Sequence, residues 1–112
     1  MWKGCIVEES LDDNRVLNNL KAVKIRITSE NNPEQRWHIY DSLLTEKDIE
    51  RIRHHLKQSW YMHFWKDDVM MIFFKGKKFI VSATDKRTWK EAIDYGLSIN
   101  IPEEQLDFVM EF

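Results

Sequence analysis

The chain of 112 residues reads as an α+β domain, on three observations. Two segments, 22–28 and 35–43, alternate apolar and polar residues with the period of a half-buried strand. Start signals at Ser10, Thr45 and Asp85 each precede apolar residues at helical spacing. Three more short apolar runs follow one another between positions 60 and 82, separated only by charged or glycine-containing turns.

In chain order, Cys5-Ile6-Val7 predicts a short first strand. Ser10-Leu11-Asp12-Asp13 predicts a helix start, because a hydroxyl can accept from an early backbone N–H and acidic residues favour the positive helix end. Val16, Leu17 and Leu20 then form one stripe, so a short helix is expected over Leu11 to Leu20. From Ala22 to Thr28, Val23, Ile25 and Ile27 face one way and Lys24, Arg26 and Thr28 the other. Glu30 to Glu34 is a polar turn. In the next strand Trp37 and Ile39 oppose Arg36, His38 and Tyr40, and its closeness to the preceding strand predicts a hairpin. Thr45-Glu46-Lys47-Asp48 is a capping box, followed by Ile49, Ile52 and Leu56 on one helical face. Trp60 to Trp65, Val69 to Phe74 and Lys78 to Ser82 predict a three-stranded meander. Asp85 caps a further helix carrying Trp89, Ala92, Ile93, Gly96 and Leu97 on one face. Pro102-Glu103-Glu104-Gln105 starts a last helical turn.

The order β-α-β-β-α-β-β-β-α begins with the split β-α-β plan of a ferredoxin-like antiparallel sheet, extended by a C-terminal β-hairpin and helix. In that plan the helices cover one face, and the other stays open unless added elements or a partner cover it. One domain over residues 1–112 is expected, large enough to bury a core without metal or disulfide support.

Composition narrows the function. A net charge of -2 lacks the basic excess from which a general nucleic-acid binder draws most of its affinity. The single cysteine, Cys5, rules out an internal disulfide and fits a reducing compartment. Met1 to Gly4 carries no apolar run of the kind a signal peptide needs, and the longest apolar run, Val69 to Phe74, is far too short to span a bilayer. A cytoplasmic protein without a membrane partner is therefore expected.

The segment Ser59-Trp60-Tyr61-Met62-His63-Phe64-Trp65-Lys66 is the richest in chemistry. Successive strand side chains point to opposite faces. Trp60, Met62 and Phe64 are thus expected in the core together with Val23, Ile25, Ile27, Trp37 and Ile39. By the same parity Arg26, His38, Tyr40, Tyr61, His63 and Trp65 are expected together on the opposite face. That set suits a small anionic or ring-containing ligand: arginine offers a planar fork to carboxylate or phosphate, the rings offer stacking surfaces, and histidine exchanges protons near neutral pH. The plainer reading is that these rings meet the C-terminal helix or a second subunit, since aromatic surface is common at interfaces.

Other candidates read more simply still. His38 and His63, with Cys5 as a third ligand, match no short metal motif. His54 and His55 are helical neighbours that diverge. Cys5 shows no cation or helix end to stabilise a thiolate and reads as an inert buried thiol. Glu8 and Glu9 read as solvated charges at a strand end. Gly4, Gly76 and Gly96 are isolated, so no phosphate loop exists, and Lys75-Gly76-Lys77-Lys78 reads as a solvated hairpin tip. No catalytic residue, metal or cofactor is implied.

Trp2-Lys3-Gly4-Cys5-Ile6-Val7-Glu8-Glu9-Ser10-Leu11, Trp60-Tyr61-Met62-His63-Phe64-Trp65 and Ile101-Pro102-Glu103-Glu104-Gln105-Leu106-Asp107-Phe108 resemble a family of short uncharacterised prokaryotic proteins with no assigned activity. The resemblance covers most of the chain. It implies a stand-alone small cytoplasmic protein and carries over no catalytic residue.

Three functions compete. The favoured one is a binding or association module that uses the aromatic and histidine face for a small molecule or for a homodimer. The second is a small enzyme with acid–base chemistry at His38 or His63, helped by Glu9, Arg26 or Tyr61; it requires both histidines on one face. The third is single-stranded RNA binding with Tyr61 and Trp65 stacking on bases, which the acidic balance disfavours.

Overall fold

A computed structural model describes residues 1–111. The fold is α+β: six strands in one open antiparallel sheet, with two α-helices. The strands are β1 (Trp2–Val7), β2 (Lys21–Ile27), β3 (His38–Leu44), β4 (Tyr61–Lys66), β5 (Val69–Phe74) and β6 (Lys77–Ser82). The helices are α1 (Glu46–Arg53) and α2 (Lys90–Ser98). The sheet order is β2-β3-β1-β4-β5-β6. No helix among the described residues is long and apolar enough to cross a membrane.

Local chemistry sets these elements. The Thr45 hydroxyl accepts from Asp48 N–H while the Asp48 carboxylate accepts from Thr45 N–H, which closes the capping box of α1. Two-residue turns join β4 to β5 and β5 to β6, with Asp67 and Gly76 at positive φ. Gly4 lies opposite Phe64 across the β1–β4 pair, and a Cβ there would stand 2.4 Å from Phe64 Cδ1. Only glycine lets that ring lie flat over the central strand.

The sheet is covered on both sides. On one face Ile49, Ile52 and Leu56 pack on Ile6, Leu44, Met62, Phe64 and Phe73. On the other, Trp89, Ala92, Ile101, Leu106 and Phe108 pack on Met70, Ile72 and Phe74. β5 therefore buries both of its sides, which explains its unbroken apolar run.

Two expectations require correction. Residues 11–20 do not form an α-helix; two 3-10 turns stand there, Glu8–Ser10 and Asn14–Leu17. The backbone of this stretch is engaged elsewhere. Asp12 N–H donates to His55 C=O, Ser10 C=O accepts from Lys57 N–H, and Leu11 bridges to Leu56 as in a sheet. The Ser10 hydroxyl donates to Val7 C=O, so Asp13 caps the second turn instead. Val16, Leu17 and Leu20 still pack against the α1 side core. Second, Val23, Ile25 and Ile27 are not core; each is 59% exposed. A helix about 10 Å wide shields about two strands at their spacing near 4.8 Å, and β2 is the edge strand, two places from β1.

Smaller differences concern boundaries. Pro33–Gln35 forms a 3-10 turn, so β3 starts at His38 and Trp37 precedes it. Ser59 takes a positive φ and β4 starts at Tyr61, after Trp60. Asp85 caps a 3-10 turn, Lys86–Trp89, that leads into α2.

Candidate functional site

Strand register divides the expected six-residue set. Ile6 pairs with Tyr40, and Tyr40 with Ile25, so Tyr40 and His38 point to the α1 side. Cys5 pairs with Asp41 and Asp41 with Lys24, while Val7 pairs with Ile39 and Ile39 with Arg26. These side chains point to the other side, as do Tyr61, His63 and Trp65. Arg26, Tyr61, His63 and Trp65 thus share a face, and His38 and Tyr40 lie on the opposite one. The physical reason is register: whether two strands put like parity on one face depends on their pairing, which no single strand reports. Ile39, expected in the core, lies on the Arg26 side.

His38 and Tyr40 form a cluster of their own with the turn after β1. The Glu9 carboxylate accepts from His38 N–H and contacts His38 Nδ1, both at 2.8 Å. This hydrogen bond, outweighing desolvation, holds His38 above its ordinary pKa. Glu9 is held below its own: desolvation opposes the shift, and the His38 contacts prevail. The Tyr40 hydroxyl donates to Glu8, which pushes its pKa up to about 12. His55 and His54 sit apart at the end of α1, against Asp12 and Glu50. Among the described residues no group of three His, Cys, Asp or Glu side chains is arranged to hold a metal ion.

On the Arg26 face the C-terminal segment runs back across the sheet. Tyr61 donates its hydroxyl to Gln105 C=O, and His63 Nε2 donates to Val109 C=O at 2.7 Å. Between these ties Phe108 takes a positive φ of 43° and inserts its ring among Tyr61, His63 and Trp89. Burial lowers the pKa of His63 despite the contacts with Val109 and Asp107 that favour its charged form. It is therefore the neutral Nε2–H tautomer that fits a carbonyl acceptor. Burial, then Asp107, raises Tyr61. His63 also stacks on Trp65 with centroids 5.5 Å apart.

Beyond those ties the segment roofs a cavity of about 610 Å³, and the Cys5 thiol donates to Glu111 C=O at 3.5 Å. Cys5, Val7, Lys24, Arg26, Ile39 and Asp41 form its floor, with Tyr61, Met62 and His63 along one side. Trp37 and Trp60, centroids 5.1 Å apart, stand at one end. Glu104, Asp107 and Glu111 line the roof. Arg26 is committed within the floor. Its Nε and Nη2 donate to the two oxygens of Asp41 at 3.0 and 2.7 Å. The Asp41 carboxylate is buried to 1% exposure, whereas Arg26 keeps 40%. Desolvation opposes ionisation of Asp41, but the bonds from Arg26 and Cys5 prevail and hold its pKa below the ordinary value. The Cys5 thiol, 3.8 Å from Arg26 Nη2, is pushed up to about 12 by burial first and Asp41 second. A thiol of that kind is no nucleophile at neutral pH.

Several lining residues escaped the sequence reading: Lys24, Trp37, Asp41, Trp60 and the three carboxylates of the tail. Asp41 carried a usable signal, as a lone charge within an otherwise apolar and hydroxyl-bearing stretch, which calls for a buried partner. The tail carried another, since Leu106-Asp107-Phe108 alternates in the manner of a half-buried extended segment. No protein family, curated protein or solved structure matches this chain.

Proposed function

We propose that the chain is a small binding module that takes a ring-containing small molecule in the cavity between β1, β2, β3 and the C-terminal segment. The observation that carries this reading is the cavity itself. Its volume of about 610 Å³ falls within the range of small-molecule sites, its walls are largely apolar, and a few polar groups converge on it. Arg26 and the Asp41 carboxylate supply an oriented polar floor, and Trp37 and Trp60 supply indole surface. Of the six residues first expected to bind, Arg26, Tyr61 and His63 line this cavity. The cytoplasm as site of action and kinship with short prokaryotic proteins belong to the same proposal, and the single Cys5 suits a reducing compartment.

The strand order β2-β3-β1-β4 supports reading the first part as a ferredoxin-like split β-α-β unit. In it 3-10 turns stand in for the first helix, and the β5–β6 hairpin and α2 form the extension. An acid–base enzyme using His38 and His63 together has no support, because their imidazoles lie on opposite faces. RNA stacking has little, because Tyr61 lies under Phe108 with its hydroxyl engaged.

A thermal-shift screen of aromatic small molecules, followed by NMR of the Trp37 and Trp60 indole N–H signals, tests the reading. Hits should raise the melting temperature and move those two signals. Hits that move only signals from the α1 side would sink it. Self-association is a second reading, favoured by one observation: Ile25 and Ile27 stand exposed on an edge strand whose outer side pairs with no other strand of the sheet. Light scattering on the wild type and on Ile25→Lys should then give a dimer and a monomer.

A further inference from the structure

The charges around the cavity select among ring-containing ligands. Four carboxylates line it, from Asp41, Glu104, Asp107 and Glu111, against two cations, Lys24 and Arg26. The two cations are not equivalent. Arg26 spends its Nε and Nη2 on both oxygens of Asp41, with Nη2 also beside the Cys5 thiol, so its charge is already paired with a buried carboxylate and draws an incoming anion less than a free guanidinium would. Lys24 makes no ion pair among the described residues and helps to hold Asp41 ionised. Glu104, Asp107 and Glu111 make no ion pair among the described residues, and all three are carried by the segment that roofs the cavity. Of the other titratable groups on the sheet side, Cys5 and Tyr61 are held protonated and uncharged, and His63 is neutral where it donates to Val109 C=O. A ligand entering beneath the roof therefore meets an excess of negative charge, three carboxylates against Lys24, over a floor whose Arg26–Asp41 pair is already closed.

The indoles act in the same direction. The faces of aromatic rings attract cations, tryptophan most strongly, and more so where water is displaced. Trp37 and Trp60 stand at 5.1 Å with their planes inclined by 58°, an open angle rather than a closed stack. An ammonium group near that corner would lie between indole faces and the carboxylates of the roof, while an apolar ring rests on Val7 and Ile39. An anion would meet repulsion from the three roof carboxylates, against Lys24 and an Arg26 whose charge Asp41 already pairs.

We propose, on the basis of the binding reading above, that the ligand of this cavity is a ring-bearing cation of the arylalkylammonium class and that Glu104 and Asp107 select for its charge. Three probes that share one ring and differ in charge test this: tryptamine, 3-methylindole and indole-3-propionate. Their affinities are measured by calorimetry at neutral pH and low salt on the full chain. Tryptamine should bind about tenfold or more tighter than 3-methylindole, which corresponds to about 1.4 kcal/mol, and indole-3-propionate should bind weakest. Added salt should narrow the gap, since the roof carboxylates are exposed to solvent. In the variant Glu104→Gln/Asp107→Asn the three affinities should converge. Both positions are exposed, so this variant keeps its fold, and an unchanged melting temperature verifies it. Equal affinities for all three probes in the wild type, or tighter binding of the propionate, would overturn the charge selection and leave the cavity reading standing. Failure of all three probes to bind would overturn both.

Discussion

The two faces of the sheet are built from similar material and finished differently. Each buries a phenylalanine and a methionine side chain from β5. On the α1 side a regular helix closes the layer, and its Ile49, Ile52 and Leu56 sit on the central strands. On the opposite side α2 closes only the β5 end, and an extended segment completes the cover over β1, β3 and β4. A helix satisfies its own backbone and can press a continuous stripe into a core. An extended segment must find partners for its backbone, and here the ties run to Tyr61, His63 and Cys5. Such point contacts do not fill every gap beneath it, and the cavity named above lies under the tail.

The largest effect that would sharpen this contrast comes from one buried ring on each side. Phe64 and Phe108 are both essentially inaccessible. Truncation of a buried phenylalanine typically costs about 3–5 kcal/mol. Phe64→Ala should show that full loss in urea unfolding, because the ring lies on the central strands beneath α1. Phe108→Ala should lose less globally, because the tail can detach while the sheet stays folded. Hydrogen exchange should then speed up from Leu106 to Glu111 and stay slow in β4. Equal losses, with protection lost alike in tail and sheet, would mean that the two covers form one cooperative unit.

The sequence made half of this visible. Alternation in 22–28, the capping box at Thr45 and the aromatic run at 61–66 all correspond to real elements, because each is a local property with its own chemistry. What could not be read was anything that depends on neighbours. Val23, Ile25 and Ile27 have the pattern of a core strand, yet only position in the sheet decides what a strand's face meets. His38 and His63 shared a parity argument that failed at register. Ser10 looked like a cap, and the backbone beside it was drawn instead into pairing with Leu56 and Lys57. The cavity was partly legible: parity assigned Arg26, Tyr61 and His63 to one side, whereas its roof is a tertiary fact of the tail.

The histidines give an effect of intermediate size and opposite sign on the two faces. On the tail side the folded pKa of His63 is lowered, so between that value and the unfolded value near 6.5 the unfolded chain binds more protons than the folded one. Stability from this residue is lost as the pH falls below about 6.5. On the α1 side the folded pKa of His38 is raised by Glu9. Its contribution is fully present below about 6.5 and is lost as the pH rises through the raised value. Urea midpoints measured from pH 5 to pH 8 should therefore respond in opposite ways to two substitutions. His63→Gln, whose amide can still donate to Val109 C=O, should flatten the decline on the acid side. His38→Gln should flatten the decline on the alkaline side. If both variants change the same limb, the assignment of the two histidines to different electrostatic settings is wrong.

The smallest effect belongs to the edge, where neither cover reaches. Ile25 is a β-branched residue in a strand, which sequence alone would place in the core, and it is 59% exposed. A buried isoleucine cut to a polar residue would cost several kcal/mol, whereas surface substitutions usually stay within about 0.5 kcal/mol. Ile25→Thr keeps the β-branch and the strand preference. Its unfolding free energy, measured at a concentration low enough to hold the chain monomeric, should fall within that narrow band of the wild type. A loss of 2 kcal/mol or more under those conditions would mean that something covers β2 even in the single chain, and the edge would then belong with the sealed side of the sheet. A loss that appears only at high protein concentration would instead be the thermodynamic mark of a second copy seated on this strand, since association stabilises the folded state by mass action.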